Sequence, residues 1–161
     1  MALDYCHSND LAVNEKKSNQ LIFGHKKEET SAVPGINRVE EVKYLGVIID
    51  TDLSWKSQID HVCDKLSSSI YVLKRLKSIT DNETVIRTAY FALVESHLRY
   101  GLSVWGNSSK PNLQRVLVQQ KKVIRTMVGL GPRDSCREAF KILKLPTVGA
   151  LYILETVLHT E

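Results

Sequence analysis

The sequence predicts an α+β chain, mostly α, with a small antiparallel β-hairpin or sheet in its N-terminal third followed by about five helices. Two observations carry this reading. Short Val/Ile-rich runs set off by polar loops lie before residue 53, and from Ile59 onward apolar residues recur at steps of three and four. Composition sets the scale. A chain of 161 residues, 43% hydrophobic and 25% charged, suffices for one domain or slightly more with a buried core.

Taken in order, "NDLAVNEKKSNQLIF" passes from polar to apolar and predicts a short helix end, a turn and a strand over 20–23. A polar loop follows, with a short strand around 32–39. "VKYLGVIID" is the strongest strand signal, and Gly46 inside it points to a bulge or a close backbone approach. Ile59, Val62, Cys63, Leu66, Ile70 and Leu73 then form one narrow stripe on a helix of about six turns, with Asp52 or Ser54 placed to cap it. A second helix opens at Asp81 and runs through Ile86, Ala89, Tyr90, Leu93 and Val94 to a stop near Gly101.

The third helix opens at Pro111, a residue suited to the first helical position, and ends at Gly129. At about 100° per residue, Leu113, Val116, Leu117, Ile124 and Met127 share one side. Arg115, Lys121, Lys122 and Arg125 share the other, a solvent face read as purely cationic. Ser135-Cys-Arg-Glu138 has the form of a capping box for a shorter helix that Pro146 stops. Thr147 is placed to cap a last helix bearing Val148, Leu151, Leu154 and Leu158. The expected division is a sheet-bearing part, 1–53, and a helical part, 54–161.

No apolar run reaches the roughly 18 residues needed to cross a bilayer, and "MALDYCHSNDL" lacks the basic-then-apolar order of a signal peptide. Cys6, Cys63 and Cys136 are odd in number and form no C-x-x-C, so neither a disulfide framework nor a zinc ribbon is indicated. An intracellular location, nuclear or cytoplasmic, is expected.

The net charge of +4 is unevenly spread. Through Ser57, seven Lys/Arg stand against nine Asp/Glu; after it, fifteen stand against nine. Between Ser96 and Arg133 there is no acidic residue. A basic second half points to a polyanion, nucleic acid first, against the plainer reading of a solvated helix face.

Signals of chemistry are few. Asp50 and Asp52 would face the same way on a strand and could hold a divalent cation. They stand where a strand gives way to a helix, though, and Asp is favoured there as turn former and cap. His7, His25, His61, His97 and His159 show no zinc-site spacing. No phosphate-binding Gly-rich loop or serine-nucleophile motif is present. Trp55, Tyr100 and Trp105 could stack on bases or seal a core, and the second reading is preferred.

The order of the pieces is more informative than any one of them. "NDLAVNEKKSNQLIFG", with Asn14-Glu-Lys-Lys17-Ser18 as a turn into a strand, resembles the segment after the catalytic strand of non-LTR retrotransposon reverse transcriptases. "KYLGVIIDTDLSW" is similar to their primer-grip hairpin. "YGLSVWG", "LQRVLVQQKKVIR" and "EAFKILKLPTV" are similar to the thumb and post-thumb region of jockey-type elements. The resemblance covers nearly the whole chain.

It implies a palm-edge and thumb part of an RNA-directed DNA polymerase. The family's Tyr/Phe-x-Asp-Asp metal turn is missing from these residues, so the chain alone is expected to be non-catalytic and to need no cofactor, with magnesium belonging to the full-length polymerase. By resemblance, Tyr44, Leu45 and Gly46 approach the primer end, and Arg115, Lys121, Lys122 and Arg125 contact the backbone of a primer–template, weakly and without regard to sequence. The expected partners are nucleic acid and the polymerase's palm and fingers. Two other readings stay open. One is a helical interaction or self-associating module with apolar surface around 21–23 and 47–49; the other is a metal-dependent phosphotransfer enzyme using Asp50 and Asp52.

Overall fold

The structure, a computed structural model, describes residues 2–24 and 27–158; of Ala2, Leu3 and His7 it describes the backbone. His25 and His159 lie outside the described residues. Strand residues are few and confined to the N-terminal third, and helix dominates the rest, so the α+β, mostly α class holds. The chain divides into two compact units, Met1–Ser54 and Trp55–Glu161.

The first unit carries helix α1 (Ala2–Ser8) and four short strands: β1 (Asn19–Gln20), β2 (Asn37–Arg38), β3 (Glu41–Tyr44) and β4 (Val47–Asp50). The predicted turn is present. Asn14 Oδ1 accepts from the Lys17 amide (3.2 Å), capping a 3₁₀ turn, Glu15–Lys17, that leads into β1. β1 and β2 pair in parallel, Asn19 opposite Asn37 and Gln20 opposite Arg38. The strand expected over 20–23 is thus only two residues long. The Gln20 side chain does the rest of the tying, donating to the Ser31 carbonyl (3.1 Å) and accepting from the Val33 amide (3.0 Å).

β3 and β4 form an antiparallel hairpin in register Tyr44–Val47 through Glu41–Asp50. This corrects the reading of "VKYLGVIID" as one strand with a bulge. Leu45 (φ +46°) and Gly46 (φ +85°) are the two turn residues. Positive φ at both positions is what a two-residue type I′ turn requires, because its twist matches that of the strands it joins. Gly adopts this conformation freely; Leu does so at a cost of about 1–2 kcal/mol.

The second unit holds seven helices: α2 (Lys56–Lys77), α3 (Glu83–Tyr90), α4 (Ser96–Arg99), α5 (Leu102–Trp105), α6 (Lys110–Val128), α7 (Arg137–Ile142) and α8 (Val148–Leu158). A π-helical turn, Phe91–Glu95, joins α3 to α4. The predicted stripe of α2 is largely interior: Ile59, Val62, Cys63, Leu66 and Leu73 are buried, with Ile70 half-buried at the edge. α2 packs chiefly on α6, whose Val116, Val123, Ile124 and Met127 are buried. Tyr90, Val94 and Leu98, between them in sequence, are buried, as are Trp55, just before α2, and Trp105; the Trp105 indole N–H donates to the Tyr100 carbonyl (2.9 Å). Both tryptophans therefore serve the core. Among the described residues no helix is long and apolar enough to cross a membrane.

Several helix ends differ from expectation. Trp55 (φ +62°), rather than Asp52 or Ser54, occupies the N-cap of α2. Asn82, rather than Asp81, caps α3 by accepting from the Thr84 and Val85 amides (3.0 and 3.3 Å), while Asp81 pairs with Lys77 (2.9 Å). The capping box at Ser135 is not formed, since α7 begins two residues later, after Cys136. Pro111 at the start of α6, Gly129 (φ +74°) at its end, and Thr147 Oγ1 accepting from the Ala150 amide (3.3 Å) stand as predicted. Leu154 and Leu158 of α8 are exposed, so only Val148 and Leu151 of that stripe are interior.

Two buried polar groups organise the bundle. Gln120, with no exposed surface, donates to the Pro146 carbonyl (2.9 Å) and to the Tyr90 hydroxyl (3.2 Å), and its oxygen accepts from the Val148 amide (2.9 Å). It thereby ties α6 to α3 and to the start of α8. In the π turn, Glu95 is 7% exposed. Its Oε1 accepts from Arg99 Nε (2.8 Å), and Arg99 also pairs with Glu155 on α8. The widened turn leaves carbonyls free for outside donors, and the buried Ser69 hydroxyl of α2 donates to that of Leu93 (2.6 Å).

Burial pushes the Tyr90 phenol up to about 12. An unfolded phenol ionises near pH 10, so the folded state holds this proton more tightly. The resulting stability is whole below pH 10 and is lost as pH rises toward 12, by roughly 3 kcal/mol. Urea titrations at pH 9 and pH 11.5 should show this decline, and Tyr90→Phe should flatten it. An equally steep decline in the variant would assign it to another group.

Candidate functional site

In the first unit, the hairpin turn carries the three residues expected at a primer end. Tyr44 and Leu45 are 63% and 74% exposed. Two large apolar side chains at a β-turn, one of them on left-handed backbone, are an observed departure from what turn formation favours, and such strain concentrates at binding sites. Gly46 supplies the second positive φ and so has a conformational reason of its own.

Asp50 and Asp52 have separate partners. Asp50 Oδ1 accepts from the amides of Asp52 (3.1 Å) and Ser54 (2.9 Å), closing an Asx-type turn. Asp52 pairs with Lys27, whose Nζ also donates to Thr51 Oγ1 (3.0 Å). Among the described residues no three His, Cys, Asp or Glu side chains converge. This donor set, engaged in a turn and an ion pair, does not fit the paired magnesium ions of a polymerase.

In the second unit, α6 brings the four basic residues to one side. Val116, Gln120, Val123, Ile124 and Met127 are turned inward; Arg115 and Lys122 are exposed, Lys121 and Arg125 half-buried. The face is not purely cationic, because Val118 lies in the same arc, 39% exposed. Nor are the four equivalent. Arg115 pairs with Asp60 of α2, and that contact holds its guanidinium proton more firmly still. Arg125 Nε donates to the Asp134 carbonyl (2.8 Å), which fixes its orientation. Close by, burial pushes the Cys63 thiol up, with Arg115 and Lys122 pulling it the other way.

Two open depressions flank this side of α6. One, of about 500 Å³, lies toward α7 and the start of α8, with Lys121, Arg125, Arg137 and Lys141 among its lining residues. The other, of about 410 Å³, lies between α6 and α2 and includes Lys74, Lys122 and Arg125. Arg125 borders both, and no carboxylate lines either. Lys74, Arg137 and Lys141 are basic residues that the sequence reading missed. Lys74 lies in the last turn of α2 and Lys141 in that of α7, where cations are expected to offset the helix dipole, so their types alone gave no signal of a shared site.

No protein-family model matches the chain, and no solved structure matches it. Three curated proteins do. The chain is 25% identical over 133 residues to the probable RNA-directed DNA polymerase from transposon X-element of Drosophila melanogaster, a match covering 74% of this chain and 14% of that protein. It is 28% identical over 119 residues to the RNA-directed DNA polymerase from mobile element jockey of Drosophila funebris, covering 71% and 13%. It is 22% identical over 149 residues to the jockey polymerase of Drosophila melanogaster, covering 87% and 16%. The matched part is thus a small share of each relative. With most of its length aligned to the same group each time, the chain is a relative of one part of the jockey-type retrotransposon RNA-directed DNA polymerases.

Proposed function

We propose that this chain is a thumb-like element that grips the backbone of a nucleic-acid primer–template for a polymerase whose metal site lies on other residues. One observation carries the reading: α6 turns four cations to its solvent side, and both depressions beside it are lined by cations and no carboxylate. Such a surface reads phosphate charge rather than sequence. Asp60 tempers it, since a phosphate must compete with that carboxylate for Arg115. In the same reading, the Tyr44-Leu45-Gly46 turn meets the primer end, and magnesium belongs to the complete polymerase.

If about three phosphates are neutralised, log affinity should fall against log salt with a slope near −3. Anisotropy titrations of a labelled primer–template over a salt series measure it. A flat response, or no binding at low salt, would falsify the reading.

A second reading is favoured by α8, where Ile153, Leu154, Val157 and Leu158 are all exposed. A contiguous apolar strip of this kind marks an interaction or self-association surface. Light scattering at several concentrations separates the two, because a monodisperse monomer removes self-association.

A further inference from the structure

The depressions beside α6 are not lined by charge alone. Toward α7, Leu117 and Phe140 line the depression together with Lys121, Arg125, Arg137 and Lys141. Toward α2, Ile70, Val118 and Leu130 line the depression beside Lys74, Lys122 and Arg125. Lys141 pairs with Glu138 (2.9 Å), whereas Lys121, Arg125 and Arg137 of the first depression have no carboxylate partner among the described residues. A duplex offers such a surface only its phosphates; its bases are stacked inside and cannot fill an apolar hollow. An unpaired strand offers both phosphates for the cations and base faces for the apolar side chains beside them. Each hollow, at about 500 and 410 Å³, falls in the range of small-ligand sites, roughly 300–1,000 Å³.

We infer that the strand crossing α6 is single-stranded there, with its backbone on Arg125 and an unpaired base seated in a hollow beside it. The inference rests on the proposed nucleic-acid grip and narrows its ligand. Charge complementarity selects a polyanion, and the apolar side chains in both linings select one with exposed bases over one without.

The test compares a labelled oligothymidylate of 20 nucleotides with a blunt duplex of equal length, at low salt, on the full 161-residue chain. The single strand is expected to bind about tenfold more tightly. Leu117→Ser, at a half-buried position, should lower single-strand affinity about fivefold, leaving duplex binding and the salt slope unchanged. Val118→Thr, isosteric and on the exposed side, gives the same comparison for the second hollow should Leu117→Ser disturb folding. Equal affinity for strand and duplex, with both variants unchanged, would overturn the inference and leave the backbone grip standing. A preference for the duplex would overturn it as well. Binding of neither nucleic acid would overturn both.

Discussion

Replacing Gln120 by leucine should lower the stability of the chain by roughly 3–5 kcal/mol, the largest effect expected of any single change described above. The substitution keeps the volume apolar but leaves three groups without their partner: the Pro146 carbonyl, the Val148 amide and the Tyr90 hydroxyl. Each buried polar group left unmade costs about 1–3 kcal/mol, and Gln120 has no exposed surface through which water could substitute. Against a typical total of about 5–15 kcal/mol, that is a large fraction, and the melting temperature should drop by roughly 10–20 °C. Thermal melts followed by circular dichroism measure it. A loss below about 1 kcal/mol would mean that the amide is dispensable and that another contact seats the start of α8 on α6.

That glutamine shows where sequence reading stops. Its neighbours on α6 were placed inward by period alone, because an apolar stripe at 3.6-residue spacing has one stable use. A glutamine in the same stripe looks like a register slip. Its three partners lie 26, 28 and 30 residues away in the chain, and nothing local announces them. The long helices were legible for the same reason that the polar network was not: periodicity is a local signal and hydrogen-bond partnership is a tertiary one.

The hairpin gives the converse case. Residues alone read "VKYLGVIID" as a continuous strand, because Leu45 is no turn former and Gly46 alone suggests a bulge. Resemblance implied a hairpin, and the pairing of β3 with β4 has that form. Caps were legible where one residue fits, as at Thr147, and not where two candidates adjoin, as at Asp81 and Asn82. The π turn before α4 had no signature, and the Ser69 hydroxyl that meets its Leu93 carbonyl comes from another helix. Of the basic side of α6, the four predicted cations do share an arc. Lys74 and Arg137, which come to the same depressions from other helices, are visible only once those helices are packed.

The second large effect concerns binding. Arg115→Ala, Lys122→Ala and Arg125→Ala combined should weaken binding to a primer–template about 10- to 100-fold at low salt, at roughly 0.5–1 kcal/mol for each screened contact. The salt slope should fall from near −3 toward zero as those phosphates cease to be neutralised. Stability should change little, because none of the three side chains belongs to the buried stripe of α6. The Arg115–Asp60 pair is about half exposed on both sides, and pairs of that kind contribute about 0–1 kcal/mol. Substituting lysine for both arginines separates charge from geometry. If charge alone acts, affinity and slope both survive; if Arg125 works through its guanidinium fork, oriented by the Asp134 carbonyl, affinity falls while the slope stays. Unchanged affinity in the triple alanine variant, with the fold intact by circular dichroism, would move the nucleic-acid surface off α6 altogether.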